Sequence, residues 1–365
     1  MTMTRYRNKF LAAAFVTALA ATGMGNVTAQ ELKKVHIAVG SGLINVGYPT
    51  EVLPLYLGYY KEAGYDVELI PAGGSLQAIQ LMVAGNADFA EVNASPIVQA
   101  NVLHKIPIRI AMTQTSIDWS IGVLESSPIK EAKDFKGKKI GVFNMAAGML
   151  GLMEKYLESA GVKKDDYELV TIGIGAPAVN AIRSGHVDAV FYWGSGIASF
   201  KNALPIRTIY GSDWAQYPDY SLSVMESTIK KDPQKVIGIA KAMAKATAFA
   251  LENPDCARRV YNKFNNRQLA QGETWDSQNA KDMNIVNAKL AATANGLKIA
   301  GGKYGGAANP ESYDLLQKFM VSTKEIPSVV PSRQLLADIP DFIAKINDFD
   351  VEKIKADARA CSAAS

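Results

Sequence analysis

Four short runs of small residues carry the chemistry open to this sequence: Gly74-Ser75, Asn93-Ala94-Ser95, Ala146-Ala147-Gly148 and Gly175-Ala176. Each follows a strand pattern and opens a helical one, which leaves backbone N–H groups unobstructed at the positive end of a helix dipole. Such ends hold carboxylate, sulfonate or phosphate without a basic side chain, and no Lys or Arg falls within 73–76, 93–96 or 144–148. Tyr48, Trp119, Tyr192 and Trp193 fall on the same edge and are placed to wall an apolar ligand body. The expectation is a cleft for a small organic anion, its head group near Ser75, Asn93, Ser95 and Ala147.

Other chemistries find less support. His36, His104 and His186 stand singly, with no carboxylate or cysteine at ligand spacing, so no metal site is expected. Neither a Gly-x-Ser-x-Gly elbow nor a P-loop is present. The run Gly173 to Ala178 matches G-x-G-x-x-A, but Asp188 lies at the start of the next strand, and Phe191-Tyr192-Trp193 at its end is aromatic. A dinucleotide needs an acid at that end to hold its ribose, so no cofactor is expected. Lys and Arg cluster with aromatics on no stretch, which argues against nucleic acid. The competing readings are an exported enzyme with acid and base drawn from carboxylates such as Glu91 and Asp213, and a binder of a neutral pyrimidine-like solute, for which only Asn93, Gln114 and Asn144 are placed to supply side-chain amides.

The elements that must position these residues come in two similar units. From Lys34 to Gly40 runs an alternating strand, followed by a helix bounded by Pro54 and Gly64, a strand at Tyr65 to Ile70, a helix at Ser75 to Val83 and a strand at Ala87 to Val92. A second β-α-β-α-β unit spans Lys139 to Trp193, and the two repeat at a spacing of roughly a hundred residues. Ala84-Gly85-Asn86-Ala87-Asp88 answers to Ser184-Gly185-His186-Val187-Asp188. Short connections of this kind belong to parallel sheets, which bind ligands at the carboxyl ends of their strands. Irregular stretches at Thr113 to Gly122 and near Ser221 predict two crossings between lobes.

The rest is helical, with clean starts at Asp232-Pro233, Asn253-Pro254 and Asn309-Pro310, and a long segment from Trp275 to Asn295 closed by Gly296. Residues 1–29 read as a cleaved export signal: Arg5, Arg7 and Lys9 precede an apolar run, Phe10 to Ala21, and Val27-Thr28-Ala29 forms the cleavage pattern. Its removal takes three bases and no acid, so the formal charge falls from +4 to +1. In an oxidising compartment Cys256 and Cys361 either pair or remain two thiols, and both alternatives stand.

Several of these pieces resemble the NMT1/THI5-like periplasmic solute-binding proteins of ABC importers, relatives of the nitrate, sulfonate and taurine binders. The resemblance rests on Pro54-Leu55-Tyr56, Gly58 to Gly64, Val67 to Gly74, Ala84 to Phe89, Asp134 to Val142 and Val187-Asp188-Ala189. It implies an α/β, two-lobed periplasmic binding protein fold of type II, each lobe a mostly parallel sheet flanked by helices, with two hinge crossings and a helical C-terminal region. Lobe 1 then comprises 33–115 plus 218–365, and lobe 2 comprises 116–217. The ligand-touching positions carry over to Tyr48, Pro49 and Thr50, Gly74 and Ser75, Asn93 and Ser95, Gln114 and Thr115, and Ala146 and Ala147. Trp119, Gly175, Tyr192 and Trp193 join them from the reading of the residues themselves. The implied partners are a small anionic ligand and the permease and ATPase subunits at the membrane, with the protein itself a periplasmic monomer. The cysteine-rich iron-binding motif and active-site histidine of the yeast-type pyrimidine synthases have no counterpart here, which disfavours that chemistry.

Overall fold

Apolar side chains on both faces of short strands call for a sheet covered on both sides, and β1 (Lys33–Val39) buries Val35, Ile37, Ala38 and Val39 completely. The structure, a computed structural model, describes residues 31–145, 147–269, 271–306 and 309–364, so the expected signal segment and Ala146 lie outside the described residues. The remaining strands are β2 (Tyr65–Pro71), β3 (Phe89–Val92), β4 (Ile108–Thr113), β5 (Ser120–Leu124), β6 (Lys139–Val142), β7 (Glu168–Thr171), β8 (Ala189–Tyr192), β9 (Ile206–Tyr210) and β10 (Ser221–Met225).

They form two five-stranded sheets, ordered β2-β1-β3-β10-β4 and β7-β6-β8-β5-β9. The repeat expected from sequence is thus a repeat of topology. In each sheet the first three strands are parallel and the fourth in order runs against its neighbours. That antiparallel strand is the one the chain enters immediately after crossing from the other lobe, β5 in one direction and β10 in the other.

Helices cover the faces. The three Asx-Pro starts form as expected, with the Asp232, Asn253 and Asn309 side chains accepting from the N–H groups of Lys235, Cys256 and Glu311 at 3.0, 3.0 and 3.1 Å. The helix Pro233–Glu252 buries most of one face against Pro49–Tyr56 and Val351–Ala360. Cys256 and Cys361 are joined by a disulfide that ties Pro254–Phe264 to the C-terminal end of Val351–Ala360 across a separation of 105 residues.

Two boundaries differ from the sequence reading. The helix expected after Pro54 begins at Pro49 and carries Pro54 inside it. Proline at the first helical position needs no N–H partner, and the break falls instead at Gly58, whose φ of 79° ends the turn. The long helix runs Trp275–Ile299, straight through Gly296. Glycine sits there for clearance rather than capping: a Cβ would lie 2.7 Å from the backbone of Thr115 in the first crossing.

That helix also reaches the second lobe. Asn202 donates to the Lys281 carbonyl at 2.9 Å, and Asn295 donates to Ser116 Oγ at 2.8 Å and to the Ala215 carbonyl at 2.6 Å. Gly296→Ala should therefore push the first crossing off the helix and cost about 1–3 kcal/mol, as overpacking does. Urea denaturation of the variant checks this, and an unchanged midpoint would show that the contact is slack.

Candidate ligand-binding cleft

The two crossings pair with each other before they part into their sheets. Gln114 N–H donates to the Tyr220 carbonyl at 2.8 Å and Asp219 N–H to the Thr115 carbonyl at 2.9 Å. Above this pair the lobes meet: the Asn144 amide donates to the Gly73 carbonyl, and Gly148 lies so close to Pro96 that a Cβ would sit 2.7 Å from its ring.

Between the lobes lie two adjoining chambers of ≈570 and ≈530 Å³, counting their open mouths, which share Tyr48, Trp193 and Ser195. The first is polar at its base and aromatic at its walls. Gly74, Ser75 and Asn93 come from lobe 1, Ala147, Trp119 and Phe143 from lobe 2, and Thr115 and Tyr220 from the crossings. Trp119, Trp193 and Phe143 pack ring on ring, with centroids 5.5 and 5.7 Å apart. The second chamber is mainly apolar, lined by Leu43, Ile174, Val179, Tyr192 and Phe200 with Gly175, Asn45 and three serines, and by no charged residue among the described ones.

The base of the polar chamber is a chain of hydrogen bonds. Ser75 Oγ donates to Asn93 Oδ1 at 2.9 Å, and Asn93 Nδ2 donates to both oxygens of Asp219 at 2.9 and 3.1 Å. Asp219 also accepts from the Ala94 N–H, at the start of the helix Ala94–His104. Asp118, from the other crossing, accepts from the Gly194 N–H at the start of Gly194–Lys201. Each crossing thus sends one carboxylate to one helix N-terminus, where the dipole offsets part of its charge. Burial still outweighs those bonds and pushes the Asp118 carboxyl up to about 6 and that of Asp219 up to about 7.

A single cation faces these groups among the described residues lining the chamber. Lys289, on Trp275–Ile299, is 7% exposed, with its ammonium 4.6 Å from the centroid of the Tyr220 ring and 5.7 Å from that of Tyr48. Its nearest carboxylate oxygen is Glu51 Oε1 at 3.9 Å, beyond hydrogen-bond distance. A buried ammonium in this position is ready to donate to an acceptor entering the chamber.

Of the residues named from sequence, Tyr48, Gly74, Ser75, Asn93, Thr115, Trp119, Ala147, Gly175, Tyr192 and Trp193 line one chamber or the other. Pro49, Thr50, Ser95 and Gln114 are buried outside both linings. Two expectations about open helix ends are corrected. The end at Asn93-Ala94 is occupied by Asp219, and the helix expected at Ala146-Ala147 starts at Leu150, with the Ala147 N–H already donated to the Asn144 carbonyl at 3.3 Å. Glu91 and Asp213 do not form a catalytic pair: Glu91 is fully buried below the lining, and Asp213 is exposed and bound by the Tyr210 hydroxyl at 3.0 Å. Sequence reasoning missed Asp118, Asp219, Ser195 and Lys289. One acid in each irregular crossing was a readable signal for the first two. Lys289 gave none, being one of several lysines on a periodic helix.

Two similar mixed sheets, a paired double crossing and an interlobe cleft define the periplasmic binding protein fold. A sequence profile of the NMT1/THI5-like family matches residues 52–257, more than half of the chain, and the chain belongs to that family. A Brucella abortus (strain 2308) protein described as a binding protein is 24% identical over 279 residues, covering 72% of this chain and 84% of its own length. The alkanesulfonate-binding protein SsuA from Xanthomonas axonopodis pv. citri, bound to MOPS, superimposes with a TM-score of 0.60 at 12% identity, over 84% of this chain and 98% of its own. The desulfurization enzyme DSZB shares the fold too, with a TM-score of 0.54 at 14% identity, over 86% of this chain and 98% of its own.

Because Asp118 and Asp219 have higher pKa values folded than unfolded, the native state binds more protons between about pH 4 and 7, and their contribution to stability is lost as pH rises through that window. Asp219→Asn should reduce this fall by up to about 1.4 kcal/mol per pH unit, whatever it does to absolute stability. Urea unfolding at half-unit steps of pH measures the slope; a slope identical to that of the native sequence would contradict the burial of a titrating Asp219.

Proposed function

We propose that this protein is the periplasmic solute-binding component of an ABC importer, a monomer that captures a small organic anion and delivers it to permease and ATPase subunits. The observation that carries the ligand's charge is Lys289, a buried ammonium that donates no hydrogen bond among the described residues. The head group meets this ammonium and the helix end at Gly74-Ser75, and the apolar body enters the chamber of Leu43, Ile174, Val179 and Phe200. The likeness to a sulfonate binder supports a sulfonate or carboxylate head. The non-catalytic reading is supported by Glu91 and Asp213 lying outside both chamber linings, Asp213 exposed, although the desulfurization enzyme shares the fold. An export signal at 1–29 accords with the periplasm, and no helix among the described residues is long and apolar enough to cross a membrane.

Residues 33–115 with 218–365 form one moving body and 116–217 the other. A ligand touching both favours the closed arrangement, since only differential affinity shifts such an equilibrium.

Calorimetry with benzenesulfonate and benzoate, set against benzenesulfonamide and benzamide, tests the charge. The anions should bind at least roughly tenfold more tightly than the neutral amides, and Lys289→Met combined with Glu51→Gln should remove that preference. The second change keeps Glu51 from being left as an unpaired buried charge. Recovery of the bound anion chemically unchanged, with compaction in small-angle scattering, is the expected companion result. Equal binding of anion and amide would overturn the anion reading, and turnover of the ligand would favour the enzyme.

A further inference from the structure

Six hydroxyl or amide side chains line the second chamber, and most of them are already engaged within the protein. Ser41 Oγ donates to the Leu43 carbonyl at 2.8 Å and engages the Tyr48 hydroxyl, Ser199 Oγ donates to the Ser195 carbonyl at 3.0 Å, and the Tyr192 hydroxyl donates to the Gly173 carbonyl. Two groups remain. Ser195 is 5% exposed, and its Oγ has no hydrogen-bond partner among the described residues. Asn45, half-buried, accepts from the Gly47 N–H at 2.8 Å through Oδ1, which leaves Nδ2 without a partner among the same residues. Neither atom is sealed off, because the described side-chain atoms that are both closed to solvent and unpartnered belong to Glu51, Tyr60, Tyr220 and Asn262.

The two groups stand at one place. Gly47 lies between them, and a Cβ on it would sit 3.0 Å from Asn45 Oδ1 and 3.2 Å from Ser195 Oγ. Asn45 comes from the loop after β1 in lobe 1, and Ser195 from the start of Gly194–Lys201 in lobe 2. Gly47 lines the polar chamber, Asn45 the apolar one and Ser195 both, so the pair marks the passage between them. A ligand with its head at Lys289 and its body among Leu43, Ile174 and Phe200 has its middle here.

Chemistry narrows what that middle contains. The Asn45 nitrogen can only donate and so needs an acceptor, while the hydroxyl oxygen of Ser195 has lone pairs that can accept an N–H. A secondary amide offers both, its carbonyl to Asn45 and its N–H to Ser195. Hydrocarbon in the same place would displace water from both groups and leave them unpaired, which a site of this kind rejects. We propose that Asn45 and Ser195 form a specificity subsite for a neutral amide between head and body, which makes the ligand class an N-acylated amino acid or amino sulfonate rather than a plain aryl or alkyl anion. The subsite rests on the anion reading above and adds the linker to it. One partner stands on each lobe, so an amide that meets both bridges the lobes through its own atoms.

Calorimetry with three anions of one length tests this: N-benzoylglycine, 4-oxo-4-phenylbutanoate, in which CH2 replaces the N–H, and 4-phenylbutanoate, in which CH2 replaces the carbonyl as well. The native protein should bind N-benzoylglycine at least about fivefold more tightly than 4-phenylbutanoate, with the ketone between them. Desolvation alone gives the opposite order, since the amide is the most strongly hydrated of the three. Ser195→Ala should remove the advantage of the amide over the ketone, and Asn45→Ala that of the ketone over the hydrocarbon. Each ratio is taken within one variant, so a general loss of affinity cancels. If 4-phenylbutanoate binds the native protein as tightly as N-benzoylglycine, the subsite is overturned, and binding of benzenesulfonate then leaves the anion reading standing. An amide preference undiminished in both variants would overturn the assignment to these two residues. If no anion binds, the anion reading fails and the subsite fails with it.

Discussion

The pairing of the two crossings is the constraint on which the rest of the protein depends. Each crossing leads directly into the one antiparallel strand of the sheet beyond, so neither lobe is complete without a strand delivered through the hinge. The hydrogen bonds between Gln114 and Tyr220 and between Thr115 and Asp219 therefore fix the lobes' relative placement, and three of those residues, Thr115, Asp219 and Tyr220, also line the cleft. A third tie lies across this hinge. The helix Trp275–Ile299 rests on Thr115 at Gly296, reaches the second lobe through Asn295 and the Lys281 carbonyl, and sends Lys289 into the polar chamber.

This placement makes the electrostatics of the cleft a property of the hinge rather than of either lobe. Asp118 and Asp219 stand one on each crossing, and each accepts from the N-terminus of a helix that opens at the cleft. The carboxylates lose solvation and gain helix-end hydrogen bonds, and the desolvation dominates, which keeps their protons near neutral pH. Lys289 pays a desolvation cost as well, offset by the charge of Glu51 and the faces of Tyr48 and Tyr220.

The two chambers differ in polarity. Polar groups converge at the base between Ser75, Asn93 and Lys289, while the second chamber carries no charge and takes its walls from lobe 2 and from the loop at Leu43. A ligand spanning both necessarily touches both lobes. Gly148 against Pro96 marks how closely the lobes approach.

Much of this was legible in the chain. The strand and helix order followed from apolar alternation and Asx-Pro starts, because local backbone geometry and capping are set by neighbouring residues, and the glycines at Gly64, Gly85, Gly161 and Gly185 all take the positive φ that ends a helix. The aromatic wall of Tyr48, Tyr192 and Trp193 and the helix end at Gly74-Ser75 were legible for the same reason: they follow strands whose direction the pattern implies, while Trp119 joins them from the amino end of the antiparallel β5. What only the tertiary structure decided concerns groups brought together from distant positions. The chain shows two cysteines without their pairing, glycine at 296 without the Thr115 backbone that requires it, and Lys289 without the cleft it enters. It shows small residues at Asn93 without Asp219, 126 positions away, which occupies their helix end. Charge and clearance act through space, so their effects appear only when the two crossings have brought the lobes and the long helix together.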